Sequence, residues 1–117
     1  MVRFVIAALC LISQVTFAEN CVTKREFFIE NASTKVWKTT ICPKQKLGFH
    51  VHQYSRVVIP EETGSLKVVY QSGKEEIINL KRQIPLYLSV AQGKEPHQDE
   101  NIGKEPLHMT VIELKNG

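Results

Sequence analysis

Two cysteines, Cys21 and Cys42, constrain this chain more than any other feature of it. The third, Cys10, sits in a different kind of segment. Met1-Val2-Arg3 places a positive charge ahead of an unbroken apolar run over residues 4–12, and Thr16-Phe17-Ala18 follows with small residues at both ends. Charged start, short apolar middle and small-x-small end are the parts of a secretory leader. The run is shorter than the roughly 20 residues needed to cross a hydrocarbon core. Residues 1–18 therefore read as a cleaved signal peptide, and residues 19–117 as one secreted or periplasmic domain with no membrane span. Cleavage removes Cys10 and leaves an even pair. In an oxidising compartment that pair is expected to bond. A loop of this size adds roughly 3–4 kcal/mol on the chain-entropy model, a large share of a small domain's stability.

The stretch that the bond would close reads as a hairpin. Phe27-Phe28-Ile29-Glu30 is a strand signal, Asn31-Ala32-Ser33-Thr34 is turn-like, and Lys35 to Ile41 alternates. Trp37, Thr39 and Ile41 share the face expected to be buried, with Trp37 in the core. Pro43 ends the pairing. Asn31-Ala32-Ser33 is also an N-glycosylation acceptor triplet. Phe27, Ile29 and Asn31 followed by Val36-Trp37 resemble, over about eleven residues, the first hairpin of thaumatin-like β-sandwich proteins. The resemblance implies a sandwich architecture and no function.

Further alternation follows. Leu47, Phe49 and Val51 share one face, which puts His50, His52 and Tyr54 on the opposite, solvent side. Residues 56–59 continue the strand region. Leu66, Val68 and Tyr70 alternate next, as do Ile78 and Leu80, then residues 84–90, and the chain closes with a strand over residues 107–115. Residues 92–106, polar and rich in Gly and Pro, read as a mobile loop. No helical stripe is evident. About seven short strands with turns between them predict an all-β, immunoglobulin-like sandwich, with a small barrel as the alternative.

Without Arg3 the chain carries 14 basic and 12 acidic residues, and the charges are interleaved. Nucleic-acid binders gather charge on one face, so that class is set aside. Asp99 is the only aspartate, and no nucleophile elbow, phosphate loop or HExxH is present. The expectation is a non-enzymatic module without a cofactor, recognising a protein or surface partner through exposed aromatics such as Phe28, Tyr54 and Tyr87. The alternative rests on His50-Val51-His52. Residues two apart on a strand lie roughly 6–7 Å apart on one face, within reach of a single copper or zinc ion. His97, His108 and Met109 are possible further ligands, imidazole with thioether suiting copper.

Overall fold

The computed structural model describes residues 20–116, and the leader read at residues 1–18 lies outside the described residues. The elements are β1 (Lys24–Glu30), β2 (Thr34–Ile41), β3 (Ser55–Pro60), β4 (Gly64–Tyr70), β5 (Glu75–Leu80), β6 (Leu86–Leu88), the single turn α1 (Val90–Gly93), β7 (His97–Asn101) and β8 (Leu107–Leu114). Among these residues no helix is long and apolar enough to cross a membrane.

The opening hairpin forms. β1 and β2 pair antiparallel from Lys24↔Thr40 to Glu30↔Lys35, with a bulge between Phe27 and Ile29. Its turn is held by Asn31, whose Oδ1 accepts from the backbone N–H groups of Ser33 (3.0 Å) and Thr34 (2.9 Å). Cys21 and Cys42 are bonded just outside the hairpin's open end, with Cα atoms 5.7 Å apart, inside the span that a disulfide can bridge.

Beyond the hairpin, the immunoglobulin-like expectation fails. The strands form a five-stranded sheet, β1-β2-β8-β3-β6, and a three-stranded sheet, β5-β4-β7. After β3 the chain crosses from one sheet to the other at β3–β4, β5–β6, β6–β7 and β7–β8; only β4–β5 stays within a sheet as a hairpin. An immunoglobulin-like sandwich orders its strands differently, and the two separate ladders are not one closed barrel either. The physical reason is simple. Alternation decides which face of a strand is buried, and it carries no information about which strand lies alongside.

β8 is the keel of the larger sheet. It pairs with β2 along its whole length, Thr34↔Leu114 to Ile41↔Leu107, and with β3 on its other edge, Ser55↔Leu114 to Pro60↔Met109. Its Leu107, Met109 and Val111 point inward against Trp37, Ile41, Val58, Leu66 and Leu80. Each such side chain removed from water contributes about 1.5–3 kcal/mol. Trp37, Thr39 and Ile41 are all buried, as their alternation predicts.

The polar stretch 92–106 is not simply a loop. It carries β7, which pairs with β4 through Leu66↔Asn101, Val68↔Asp99 and Tyr70↔His97. His97 and Asn101 are almost wholly buried. A strand whose inward residues are His, Asp and Asn gives hydropathy nothing to detect.

Candidate metal centre

Pro43 stops the β2 ladder, and Lys44, with φ of 62°, turns the chain. Residues 44–52 then run along the free edge of β7. Lys44, Leu47 and His50 donate backbone N–H groups to the carbonyls of Asn101, Asp99 and His97, and His97 N–H returns a bond to the His50 carbonyl. His52 N–H reaches the Gly93 carbonyl at 2.8 Å. Pairing is intermittent, with bridges only at Lys46–Glu100 and His50–His97. The result is to set His50 opposite His97, with His52 next to both.

The direction of the two sequence-adjacent histidines reverses the expectation. His50 and His52 point into the molecule, with side chains 12% and 8% exposed, while Phe49 and Val51 face water. From Phe49 to His52 alternation holds in the opposite phase, whereas Leu47 packs against the core as its hydropathy predicts. The inner wall at this end is polar, so imidazoles fit it better than two more apolar groups would.

His50, His52 and His97 converge. Ring centroids are 5.1 Å apart for His50–His52, 4.5 Å for His50–His97 and 5.4 Å for His52–His97. One nitrogen from each lies within 4.8 Å of the others. Hydrogen bonding fixes the tautomers of two of them. His50 Nδ1 lies 2.7 Å from the Gly48 carbonyl, and His97 Nδ1 lies 2.8 Å from the Glu95 carbonyl. A carbonyl only accepts, so each Nδ1 carries the proton and each Nε2 presents a lone pair. Both Nε2 atoms are buried without a hydrogen-bond partner. His50 Nε2 is also 3.2 Å from an Asp99 carboxylate oxygen, a contact that is attractive when that nitrogen carries a proton.

The surroundings keep His52 and His97 neutral. Burial, followed by the charge of Arg56 and the neighbouring rings, lowers the His52 pKa to about 3. Burial also lowers His97, outweighing the Glu95 carbonyl. Burial works against ionising Asp99, yet the His50 ring beside it, with His97 and His52, holds its carboxyl below the usual range. Neutral imidazole with an ionised carboxylate close by is the protonation state a metal requires. Trp37 stacks on His52 at 6.2 Å with planes 5° apart and fixes that ring.

Two residues that the sequence does not connect with the site stand beside the centre. Arg56 is 4% exposed; its Nη2 donates to Gln92 Oε1, and its Nη1 has no partner. Arg25 lines the same narrow cavity, whose free space is about 30 Å³. Neither has a carboxylate within ion-pair distance among the described residues. On the sequence, Arg56 looks like the polar start of a strand, and only the fold shows it turned inward.

His108 does not join. Its Nδ1 lies 3.0 Å from both Glu62 oxygens, and with Glu61 it forms a separate, half-buried group. Met109, on the opposite face of β8, lines the inner cavity without belonging to the three-nitrogen cluster. Of the aromatics, Phe28 and Tyr87 are exposed and Tyr54 is half-buried.

No family model matches the sequence, and no curated protein matches it either. Solved structures do. A cupin domain from Bordetella pertussis superposes with a TM-score of 0.70 at 24% identity, covering 80% of this chain and 93% of that one. The fold is that of a cupin domain. An RmlC-like cupin family protein from Methanocaldococcus jannaschii, described as a double-stranded β-helix, gives 0.63 at 12% identity over 83% and 84% of the two chains. The polyketide cyclase RemF from Streptomyces resistomycificus gives 0.56 at 14% identity over 80% and 66%. At these identities the likeness establishes the cupin fold alone. It replaces both the immunoglobulin-like reading and the architecture implied by the thaumatin-like hairpin. The alternating crossings between sheets are how a double-stranded β-helix winds.

Proposed function

We propose that this chain is an exported binding protein that holds one divalent transition metal through His50, His52 and His97. The observation that carries the reading is the convergence of three imidazole nitrogens within 4.8 Å of one another, with the buried Nε2 of His97 left without a partner. A buried acceptor without a partner costs about 1–3 kcal/mol, and a metal turns that cost into a bond. Metal–imidazole bonds of roughly 2.0–2.1 Å are within reach of nitrogens this close after small ring rotations. The His50 and His97 rings are further held by backbone carbonyls on Nδ1, the outer-shell arrangement usual for histidine ligands.

Three imidazoles without a thioether suit Zn(II) or Cu(II) better than Cu(I). Asp99 offsets part of the bound charge, while Arg56 opposes it. Export is supported by the leader-like residues 1–18 together with the Cys21–Cys42 bond. A binding role, in preference to catalysis, fits an inner cavity with little free space beside the three rings.

The test is titration of the purified domain with Zn(II), Cu(II) and Cu(I). One equivalent of Zn(II) or Cu(II) should bind more tightly than about 10 µM. His97→Ala should weaken binding by about a hundredfold or more, and His108→Ala should leave it unchanged. Weaker binding in the wild type, or equal affinity in a variant lacking His50, His52 and His97, would overturn the reading.

A further inference from the structure

A second, larger space lies against the outer side of the three-histidine centre. This groove has a volume of about 380 Å³, the size of a small-molecule site, and shares Arg25, Trp37 and His52 with the inner cavity. Its wall is aromatic and cationic. Phe27 and Trp37 meet with centroids 6.0 Å apart. Lys35 Nζ lies 4.9 Å from the Phe27 centroid and 5.9 Å from that of Trp37, and Arg25 Cζ lies 6.0 Å from Trp37.

The acids of the groove lie among its cations. Glu30 pairs with Lys115 at 3.5 Å, and Glu113 lies 3.9 Å from His52 Nδ1. Arg25 and Lys35 have no such partner among the described residues. Behind Arg25, buried Arg56 keeps its unpartnered Nη1. Arg56, Arg25 and Lys35 run from the interior to the groove, with Asp99, Glu113 and Glu30 beside them but none within ion-pair distance of the three. With Lys115 the groove carries three cations against two acids, Glu30 and Glu113, a small excess that an anion from outside the chain would balance.

We propose that the groove binds a small organic acid with a flat apolar body. The carboxylate lies on Arg25, whose fork matches it in two parallel hydrogen bonds, with Lys35 adding a second charge. The ring of the acid rests against Phe27 and the edge of Trp37. This site goes beyond the metal reading and does not depend on it.

Trp37 is the only tryptophan and lines the groove, so its fluorescence reports occupancy. The experiment titrates EDTA-treated, metal-free protein with benzoate and with its neutral match, benzamide. Benzoate should saturate and bind at least about tenfold more tightly than benzamide. Arg25→Gln should abolish most of that preference, and Lys35→Gln should reduce it about two- to fivefold. Should Arg25→Gln fail to fold by circular dichroism, the Lys35→Gln titration carries the test alone. The proposal is overturned if benzoate and benzamide bind alike, if neither saturates, or if the well-folded variants keep the full preference. Benzoate bound by metal-loaded protein but not by metal-free protein assigns the acid to the ion, which overturns the groove and leaves the metal reading standing. Benzoate bound by a protein that takes up no metal does the reverse.

Discussion

His52 concentrates the electrostatics of the centre in one side chain. Its pKa is about 3 in the folded protein against about 6.5 in an unfolded chain. Between these values the unfolded state binds a proton that the folded state does not, so stability rises with pH. The contribution is fully present above pH 6.5 and is lost as pH falls toward 3. Between pH 7.5 and 5 this single group should cost metal-free protein about 2 kcal/mol. Urea unfolding at the two pH values measures it, and His52→Gln, which cannot titrate, should flatten the difference by that amount. An undiminished difference in the variant would place the acid sensitivity elsewhere. The sequence showed the His-x-His spacing but not its direction. Phe49 and Val51 looked like the buried pair because hydropathy ranks them above histidine, and only the polar wall supplied by His97, Asp99 and Arg56 makes the opposite phase favourable.

At the scale of the element, β7 and the segment along its edge make the site, and the single turn α1 locks it. Gly93 ends α1 where no side chain has room. A Cβ there would lie 2.8 Å from both His52 Cβ and Arg56 Nη1, and 3.0 Å from His52 Cδ2. The His52 contact is with the root of its side chain, so relief requires the backbone or the ring to shift. Gly93→Ala should cost about 1–3 kcal/mol of stability as an overpacking change. By displacing a ring that bonds the metal, it should weaken Zn(II) or Cu(II) affinity about 10- to 100-fold. Calorimetric titration together with urea unfolding separates the two effects, and unchanged metal affinity would refute the positioning role. β7 itself was invisible to pattern reading. His97, Asp99 and Asn101 alternate with Gln98 and Glu100, polar against polar, so the period-2 signal that reveals β2 and β4 has no contrast here. In its partner segment the alternation of residues 49–52 was legible, but hydropathy assigned it the wrong phase.

On the scale of the whole molecule, strands were legible and their winding was not. Trp37, Thr39 and Ile41, or Leu66, Val68 and Tyr70, reveal a buried face by themselves. That β8 lies between β2 and β3 depends on contacts distant in sequence that leave no local mark. The winding places the two cross-links at different levels of the fold. The disulfide closes the β1–β2 hairpin at the edge of the larger sheet, whereas the three histidines tie residues 50–52 to β7 beside the smaller one. Cys21→Ser/Cys42→Ser should lose about 3 kcal/mol, most of it from a less restricted unfolded chain. A metal that binds only the folded state returns about 2.7 kcal/mol at a hundredfold excess over its Kd. Saturating metal should therefore offset most of the loss. The four states, with and without the bond and with and without the ion, form a cycle measurable by urea unfolding. Because the two ties restrain separate elements, their effects should add within about 0.5 kcal/mol. The route by which they could couple is the short one from Cys42 through Pro43 to Lys44, along which Thr23 Oγ1 accepts from Cys42 N–H at 3.0 Å and donates to Gln45 at 2.6 Å. A coupling above about 1 kcal/mol would show that the bond, besides stabilising the chain, also holds the segment that presents His50 and His52.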